Sequence, residues 1–436
     1  MKQLLILAYD FPPYVSVGGL RPYSWYKYLK EYGVYPIVVT RQWGNDFGDE
    51  RDYIASSKSK ETIVEDTEFG TIIRTPYKPN LANRILLKYG KDRFSLVRKA
   101  VSAFYEFAQF IFFIGPKSGL YYGARKYIKE HKVDAIIATG EPFVLFKYAS
   151  ELSKCHNIPW IADYRDPWTQ DVKRSKNFFF KARNRFFEKK YVNTAKYITT
   201  VSSYFANKIN ILIKAHIHII ANGYDSESIE KIKEIKQLSD KLRFAYVGTI
   251  YRYHPIDSVF DGFLQTIINN NIDNFEINFY GITDQIGIEK LIDEKYPILK
   301  RHINIHPSLD NFTLLKELAK HNVLLLFNYY SIIGTKIFDY IALKRHILYC
   351  YSNDFDAEKL KLKYYGIDDN KENPQKDLIE KTNAGTIVKD KKHLICILTH
   401  LFKEFKTGKI NCNTLNTSNY SRKNQVELLA NLVESL

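Results

Sequence analysis

The sequence predicts an α/β protein made of two domains, each a doubly wound parallel sheet, that face each other across a cleft. Short apolar runs rich in Ile, Val and Leu alternate with segments long enough for helices, as in parallel strands covered on both faces. This alternation occurs twice along the chain. A Lys/Glu-rich stretch at 226–240 separates the two halves and marks the domain boundary.

The first half contains seven predicted strands, at 3–8, 35–40, 71–75, 134–139, 159–163, 197–202 and 217–220. The second half contains six, at 242–249, 275–281, 303–306, 322–327, 346–351 and 385–388. We therefore place an N-terminal domain at 1–230 and a C-terminal domain at 240–415. Residues 416–436 end in apolar residues at helical spacing and predict a helix that packs back on the N-terminal domain.

Composition indicates a folded protein of 436 residues, with 45% hydrophobic and 26% charged residues. No apolar run reaches the roughly 18 residues of a membrane-spanning helix, and the closest, 107–115, contains Gln109. The opening MKQLLILAYDFPP has no cleavage-site pattern and reads as a first strand, so we expect a cytoplasmic protein. The four cysteines lie far apart, without the spacing of a zinc site or a disulfide framework.

Positive charge is concentrated in the first half. Residues 1–225 contain 35 Lys and Arg against 21 Asp and Glu, a net +14, and the remaining residues contain 29 against 27, a net +2. Such an asymmetry favours an anionic partner for the first half, either nucleic acid or a membrane surface. No nucleic-acid-binding motif is present, so we expect no nucleic-acid partner.

Three motifs follow predicted strands, where ligands bind in doubly wound sheets. In YDFPPYVSVGGLRPYSW, Gly18 and Gly19 precede a helix predicted to begin near Arg21 or Pro22, whose N-terminus would suit a phosphate or sugar oxygen. A simple strand-to-helix turn explains one glycine pair about equally well. Walker A, GxGxxG, HExxH and GxSxG motifs are absent, which argues against P-loop NTPases, simple dehydrogenases, zinc proteases and α/β-hydrolases.

The second motif, ADYRDPW at 162–168, places two carboxylates and a guanidinium within four residues. Asp166, before Pro167, is the predicted acid/base or electrostatic carboxylate, and Asp163 is predicted to orient Arg165 through a charge-assisted bond. Helix capping would account for one of the carboxylates but not for both.

In the third motif, SIIGTKIFDYIALKRHIL at 331–348, Gly334 and Thr335 open a helix that carries Lys336 and Asp339. Its first N–H groups are predicted to hold a diphosphate, and Asp339 to accept hydrogen bonds from ribose hydroxyls. An amphipathic helix with ordinary solvent-facing charges is the alternative.

Together with VSSYF at 201–205, NGYD at 222–225 and YVGTIY at 246–251, these motifs make the chain resemble family 4 glycosyltransferases of the GT-B fold, from Lys2 to the SRKNQ segment. The resemblance implies two Rossmann-like domains, an acceptor-binding one at 1–230 and a nucleotide-sugar-binding one at 240–415. It also implies metal-independent transfer of a sugar, with retention of configuration, from a nucleotide-diphosphate sugar. That sugar is a co-substrate, and no cofactor is expected. The implied donor contacts are Gly18, Gly19, Gly248, Thr249, Arg252, Gly334, Thr335, Lys336 and Asp339, and the implied acceptor-facing catalytic residues are Asp163, Arg165 and Asp166.

The chain departs from the family pattern at the donor site. Many members have two Glu residues separated by seven residues, where this chain has Ser331 and Asp339. The usual Arg and Lys pair after the first strand of the second domain is represented by Arg252 alone, with His254 nearby. A UDP-sugar 2-epimerase-like isomerase of the same fold and a catalytically reduced scaffold are the alternatives to a hexosyltransferase.

A basic, aromatic stretch at 173–190 predicts docking on the inner face of the cell membrane, where a lipid-linked or polysaccharide acceptor for surface glycan synthesis would be presented. It combines eight basic residues and one acid, Glu188, with five phenylalanines, and residues 104–115 form a second aromatic stretch. Basic residues beside aromatic ones suit a membrane interface. The alternative is that the phenylalanines belong to the core. The basic residues are Lys173, Arg174, Lys176, Lys181, Arg183, Arg185, Lys189 and Lys190.

Overall fold

The structure, a computed structural model, describes residues 1–14, 16–43, 52–170, 178–270, 272–365, 372–408, 410 and 413–436. The chain divides into two compact units. Unit 1 comprises Met1–Asn222 together with Arg422–Leu436, and unit 2 comprises Gly223–Ser421.

Unit 1 contains an eight-stranded sheet whose strands follow the order β3-β4-β2-β1-β5-β6-β7-β8. All neighbouring strands are parallel except the β3/β4 pair, which is antiparallel. The strands are β1 (Lys2–Leu7), β2 (Val34–Arg41), β3 (Ile63–Asp66), β4 (Thr71–Thr75), β5 (Ala135–Gly140), β6 (Trp160–Tyr164), β7 (Tyr197–Thr200) and β8 (Ile217–Ile219).

Helices cover both faces of this sheet. Strand β1 shows this directly, because Leu5 and Leu7 pack in one apolar cluster and Leu4 and Ile6 in another, all fully buried. The helices of unit 1 are α1 (Val17–Tyr28), α2 (Leu81–Tyr89), α3 (Ser95–Ala108), α4 (Ser118–Glu130), α5 (Val144–His156), α6 (Phe178–Val192), α7 (Ser203–Asn210) and the C-terminal α16 (Arg422–Glu434).

The C-terminal helix belongs to unit 1. Val426, Leu429 and Val433 of α16 are buried in the same cluster as Leu4 and Ile6 of β1. This apolar stripe at helical spacing attaches the end of the chain to the first strand.

Unit 2 contains a six-stranded, fully parallel sheet in the order β11-β10-β9-β12-β13-β14, the doubly wound order of dinucleotide-binding folds. Its strands are β9 (Leu242–Val247), β10 (Phe275–Tyr280), β11 (Ile303–His306), β12 (Val323–Phe327), β13 (His346–Cys350) and β14 (Gly385–Val388). Its helices are α8 (Ser226–Ile232), α9 (Ile256–Asn270), α10 (Gln285–Lys295), α11 (Asn311–Ala319), α12 (Lys336–Leu343), α13 (Phe355–Tyr364), α14 (Pro374–Thr382) and α15 (Lys391–Lys406). Four short 3₁₀ helices, at Leu29–Tyr32, Asp52–Ile54, Pro297–His302 and Thr417–Tyr420, complete the elements of the two units.

Two local predictions differ from the structure. Helix α1 begins at Val17 rather than near Arg21 or Pro22, because the Ser16 side chain caps it by accepting a hydrogen bond from the Gly19 N–H. Gly18 and Gly19 therefore lie in the first turn of the helix. Strand β3 was not predicted, because its four residues include two acids and pair only at the sheet edge.

Candidate functional site

Asp163 at the end of β6 is a buried structural anchor. Its carboxylate is fully buried and lies 2.8 Å from Nη2 of Arg21, which is 3% exposed. The hydroxyls of Thr139 and Thr199 also donate to it, at 2.8 and 2.7 Å. The prediction that Asp163 orients Arg165 is therefore wrong: its cationic partner comes from α1, and the two threonines bind it to β5 and β7 on either side.

Arg165 and Asp166 lie at the surface of unit 1, beyond that anchor. The Arg165 Nε is 3.6 Å from Asp166 Oδ2, and the Asp166 side chain is 42% exposed. The Arg165 guanidinium lies against the first turn of α1, where a Cβ on Gly18 would overlap it. The glycine is thus required for the close approach of this cation to α1, and Asp166 remains accessible to a ligand.

Asp10, which the sequence analysis did not select, joins this group. Its Oδ2 accepts a hydrogen bond from the Ser16 hydroxyl at 2.9 Å, whereas Oδ1 is buried and has no hydrogen-bond partner among the described residues. Burial raises the pKa of Asp10, and its hydrogen bond from Ser16 and the nearby Arg165 oppose that shift, while Glu141 adds to it. Asp10, Glu141 and Arg165 therefore converge at the carboxyl ends of β1, β5 and β6. Asp10 lies shortly after the first strand, in YDFPP, and this position is the feature of the sequence that could have indicated a functional residue.

Glu188 of α6 fixes the segment that follows β6. Its fully buried carboxylate accepts hydrogen bonds from the hydroxyls of Tyr164 and Thr169 at 2.9 and 2.5 Å, and from the Gln170 amide at 3.0 Å. Burial raises its pKa, and the hydrogen bonds from Thr169, Gln170 and Tyr164 oppose the shift. Glu188, the only acid of the basic stretch at 173–190, is therefore buried in unit 1 and does not reduce the positive charge at the surface.

An exposed aromatic surface, which we call the aromatic face, lies on α3, on α6 and on the segment after α3. Phe178 and Phe179 are 77% and 80% exposed, and the Arg183 guanidinium carbon lies 5.2 Å from the Phe107 ring, which connects the two helices. Phe187 and Phe110, by contrast, are buried in the core. Lys173, Arg174 and Lys176 lie outside the described residues. The exposed residues of the aromatic face are Phe104, Phe107, Ile111, Phe112, Phe178, Phe179 and Phe186.

In unit 2, Lys336 and Gly248 meet at the carboxyl end of β9. The Lys336 ammonium, in the first turn of α12, donates to the Val247 carbonyl at 2.5 Å and lies 4.6 Å from the centre of the Tyr246 ring. Gly248 has φ +78°, and a Cβ there would lie 3.6 Å from the ammonium. Burial lowers the pKa of Lys336 to about 8. The structure therefore places a partly desolvated cation at a helix N-terminus beside an open glycine.

The other residues of unit 2 that were predicted to bind the sugar donor differ in their contacts and exposure. Thr249 presents its backbone inward, since its carbonyl accepts from the Tyr246 hydroxyl at 2.7 Å. Thr335 precedes α12 without a side-chain cap, and a Cβ on Gly334 would meet no atom within 4 Å. Asp339 is partly buried one turn into α12, and Arg252 is exposed to solvent.

His254 does not replace the missing cation after β9. It is 4% exposed, its Nδ1 accepts from the Tyr251 N–H at 3.2 Å, and burial lowers its pKa to about 3, with Lys336 contributing. The ring is therefore neutral at ordinary pH. Ser331, at the position of the first Glu of the family pair, is fully buried.

Neither a metal cluster nor a membrane-spanning helix is found in the described ranges. Within them, no three His, Cys, Asp or Glu side chains gather in a way that could hold a metal ion. None of the helices described is both long enough and apolar enough to cross a bilayer.

Solved structures match the chain over its full length. A trehalose-6-phosphate protein from E. coli bound with UDP-2-fluoro glucose matches at TM-score 0.62 and 9% identity, with 100% of this chain and 99% of that chain covered. The chain has the GT-B fold. A glycosyltransferase from Rickettsia africae matches at 0.57 and 13%, over 100% and 98% of the two chains. Anabaena HepE in complex with UDP matches at 0.54 and 11%, over the whole of both chains. No protein-family profile and no curated protein sequence matches this chain.

Proposed function

We propose that this GT-B protein is a glycosyltransferase that moves a sugar from a nucleotide-diphosphate sugar to an acceptor. The observation that carries the proposal is the Lys336 ammonium, held at the N-terminus of α12 and beside Gly248. A diphosphate at this edge would meet a positive side chain and free helix N–H groups in a setting that excludes water from the cation. Neighbours of the same fold were solved with UDP and with UDP-2-fluoro glucose, which supports this choice of ligand.

In this proposal the donor lies on unit 2 in the manner of family 4 enzymes. Lys336, Gly334 and Thr335 hold the sugar and phosphates, and Asp339 accepts hydrogen bonds from the ribose. Gly248, Thr249 and Arg252 border the diphosphate. Transfer proceeds with retention of configuration and without a metal, since Lys336 and the helix N-terminus stabilise the departing diphosphate.

A panel of nucleotide sugars tests the donor proposal. A bound donor at a hundred times its Kd stabilises the folded protein by about 2.7 kcal/mol, which raises the Tm of a unit of this size by roughly 5 °C or more. We expect one UDP- or GDP-sugar to produce this shift and to be consumed at an unchanged rate in EDTA. No shift with any member of the panel would favour the catalytically reduced scaffold, and conversion to an epimeric nucleotide sugar would favour the isomerase.

The acceptor, in this proposal, is lipid-linked or a polysaccharide precursor and is reached by peripheral docking on the inner face of the cell membrane. Support comes from the aromatic face, because its exposed phenylalanines lie among basic residues of α6 that include Lys181, Arg185 and Lys189. Each such cation near an anionic surface contributes about 1 kcal/mol. A role in surface glycan synthesis follows from an acceptor presented there.

Flotation with lipid vesicles tests the docking. The protein should rise with anionic vesicles at low salt and be released as salt increases, because surface charge is then screened over a shorter distance. Replacing Phe178 and Phe179 by Ser should reduce recovery. Equal recovery with neutral and anionic vesicles, or none with either, would contradict the docking and favour a soluble acceptor.

A further inference from the structure

A polar pocket of about 200 Å³ lies in unit 1 beside the aromatic face. Its lining comes from α3 and α6, from the segments that follow α3, β5 and β6, and from the residues just before α4 and at the start of α5. A pocket of this volume has room for several water molecules, or for one monosaccharide ring in their place. The residues on which the argument depends are Glu106, Lys117, Glu141, Trp168, Lys181 and Asn184.

The floor of this pocket is rigid and apolar. Trp168 stacks between Phe110 and Phe143, with ring centres 5.1 Å apart on both sides, and all three side chains are at most 6% exposed. The segment that carries Trp168 is also held by the hydrogen bond from Thr169 to the buried Glu188. Because both faces of the indole are covered, this floor offers a ligand a preformed apolar contact that costs little conformational entropy on binding.

The rim of the pocket combines carboxylates and ammonium groups in equal number. Glu106 and Glu141 contribute two carboxylates, and Lys117 and Lys181 two ammonium groups, so that their formal charges cancel. The Lys117 Nζ lies 3.9 Å from Glu106 Oε1, so these groups are already partly compensated. A neutral, hydroxyl-rich ligand can donate hydrogen bonds to the carboxylates and accept them from the ammonium groups. A strongly charged ligand would be repelled by one of the two sets, an anion by the carboxylates and a cation by the ammonium groups.

The pocket borders both neighbouring features of unit 1. On one side, the Arg183 guanidinium carbon lies 5.2 Å from the ring of Phe107, in the aromatic face, and 5.6 Å from the ring of Phe110, which lines the pocket. Glu106 lines it, and the next residue, Phe107, belongs to the aromatic face; Lys181 lines it two residues after exposed Phe179. On its other side, Glu141 is close enough to Asp10 for its charge to raise the pKa of that carboxyl. A ligand in the pocket would thus lie between an apolar surface and the Asp10, Glu141 and Arg165 group.

We propose that this pocket binds the neutral sugar head of an amphipathic acceptor whose apolar chain lies along the aromatic face. The proposal rests on the proposed glycosyltransferase function and specifies the acceptor class for it. The polar pocket and the aromatic face then form one binding site, in which the pocket holds the sugar and the aromatic face holds the apolar chain. The glycosylated lipid enters this site from the membrane.

Octyl β-glucoside, below its critical micelle concentration, is the probe for this site in the full chain. Calorimetric titration should give a Kd at least tenfold lower than that of glucose and of octyl pentaethylene glycol, which carries the same tail without a sugar. Asn184→Trp, which fills the pocket, should weaken octyl β-glucoside binding at least tenfold. Asn193→Trp, just beyond the far end of α6 and exposed, is the matched control and should bind as the parent does.

Lys117→Ala provides a second variant that leaves the pocket open. It should weaken octyl β-glucoside binding about fivefold without changing the affinity for octyl pentaethylene glycol. Equal affinity for the two amphiphiles, unchanged binding in Asn184→Trp with a parent-like melting curve, or no binding of the probe would each overturn the proposal. These titrations contain no nucleotide sugar, so a failure of the acceptor proposal can be distinguished from a failure of donor binding, which the panel of nucleotide sugars tests.

Discussion

Asp163→Asn should destabilise unit 1 severely. The substitution removes the charge that Arg21 pairs with, although the guanidinium, 3% exposed, keeps its hydrogen bonds to the Ile220 and Ala221 carbonyls. Breaking a buried ion pair by removing one partner costs about 3–5 kcal/mol, since the other charge stays buried without compensation. For a protein of ordinary stability, about 5–15 kcal/mol, this is a large fraction of the total.

Tryptophan fluorescence during urea unfolding measures this cost in unit 1 alone. All four tryptophans, at positions 25, 43, 160 and 168, belong to unit 1. With a denaturant slope of about 2 kcal/mol/M, a loss of 3–5 kcal/mol moves the midpoint down by roughly 1.5–2.5 M. Arg21→Met combined with Asp163→Leu removes both charges, and we expect it to recover most of the loss.

A catalytic role for Asp163 predicts a different result. Suppose that the free energy of unfolding of Asp163→Asn lay within about 1 kcal/mol of the parent value while the rate of sugar transfer fell a hundredfold or more. The carboxylate would then act on the reaction, and its assignment as an anchor would be refuted. The double variant separates the two cases again, because a structural pair shows strong coupling in a double-mutant cycle.

Three further outcomes are expected. Glu188→Ala should lower the free energy of unfolding by about 2–4 kcal/mol, because it leaves the buried hydroxyls of Tyr164 and Thr169 and the partly buried Gln170 amide without their acceptor, and Glu188→Gln should not. Since burial raises the pKa of Glu188 in the folded protein, the parent should lose stability relative to Glu188→Gln as pH rises from about 4.5 through that pKa, measured by urea unfolding. Nucleotide-sugar affinity should fall by up to tenfold per pH unit above about 8, as Lys336 loses its proton, and Lys336→Arg should remove this dependence in calorimetric titrations. Asp166→Asn should lower kcat a hundredfold or more with little change in the urea midpoint, and turnover within a few-fold of the parent would exclude Asp166 from the mechanism.

The sequence predicted the strands of both sheets because a parallel strand buried on both faces is a short, continuous apolar run. Leu4 to Leu7 and Leu324 to Phe327 are such runs, and all eight residues are buried. Strand β3 lacks this signature, since an edge strand contacts the rest of the sheet on one side only.

The sequence predicted the residues that lie in local strand-end motifs, but not the pairs of residues that are far apart in sequence and meet only in the folded chain. Lys336 and Gly248 each belong to a recognisable strand-end motif, and the structure brings them together. The partner of Asp163, by contrast, lies 142 residues away in Arg21, and nothing in the local pattern favours it over adjacent Arg165. The burial of Glu188 was not predicted for the same reason, since its hydrogen-bond donors lie outside α6, on β6 and in the segment after it.

Calorimetric titration of the parent and of Lys336→Met with the nucleotide-diphosphate sugar selected by the panel tests the donor site most directly. Lys381→Met is the matched control, since Lys381 is an exposed lysine of unit 2 near the end of α14. A lost charge-assisted contact of about 1.5–3 kcal/mol corresponds to a 10- to 150-fold weaker Kd, which we expect for Lys336→Met and not for Lys381→Met. Parent-like affinity in both variants would contradict the assignment of the donor to Lys336 and the N-terminus of α12.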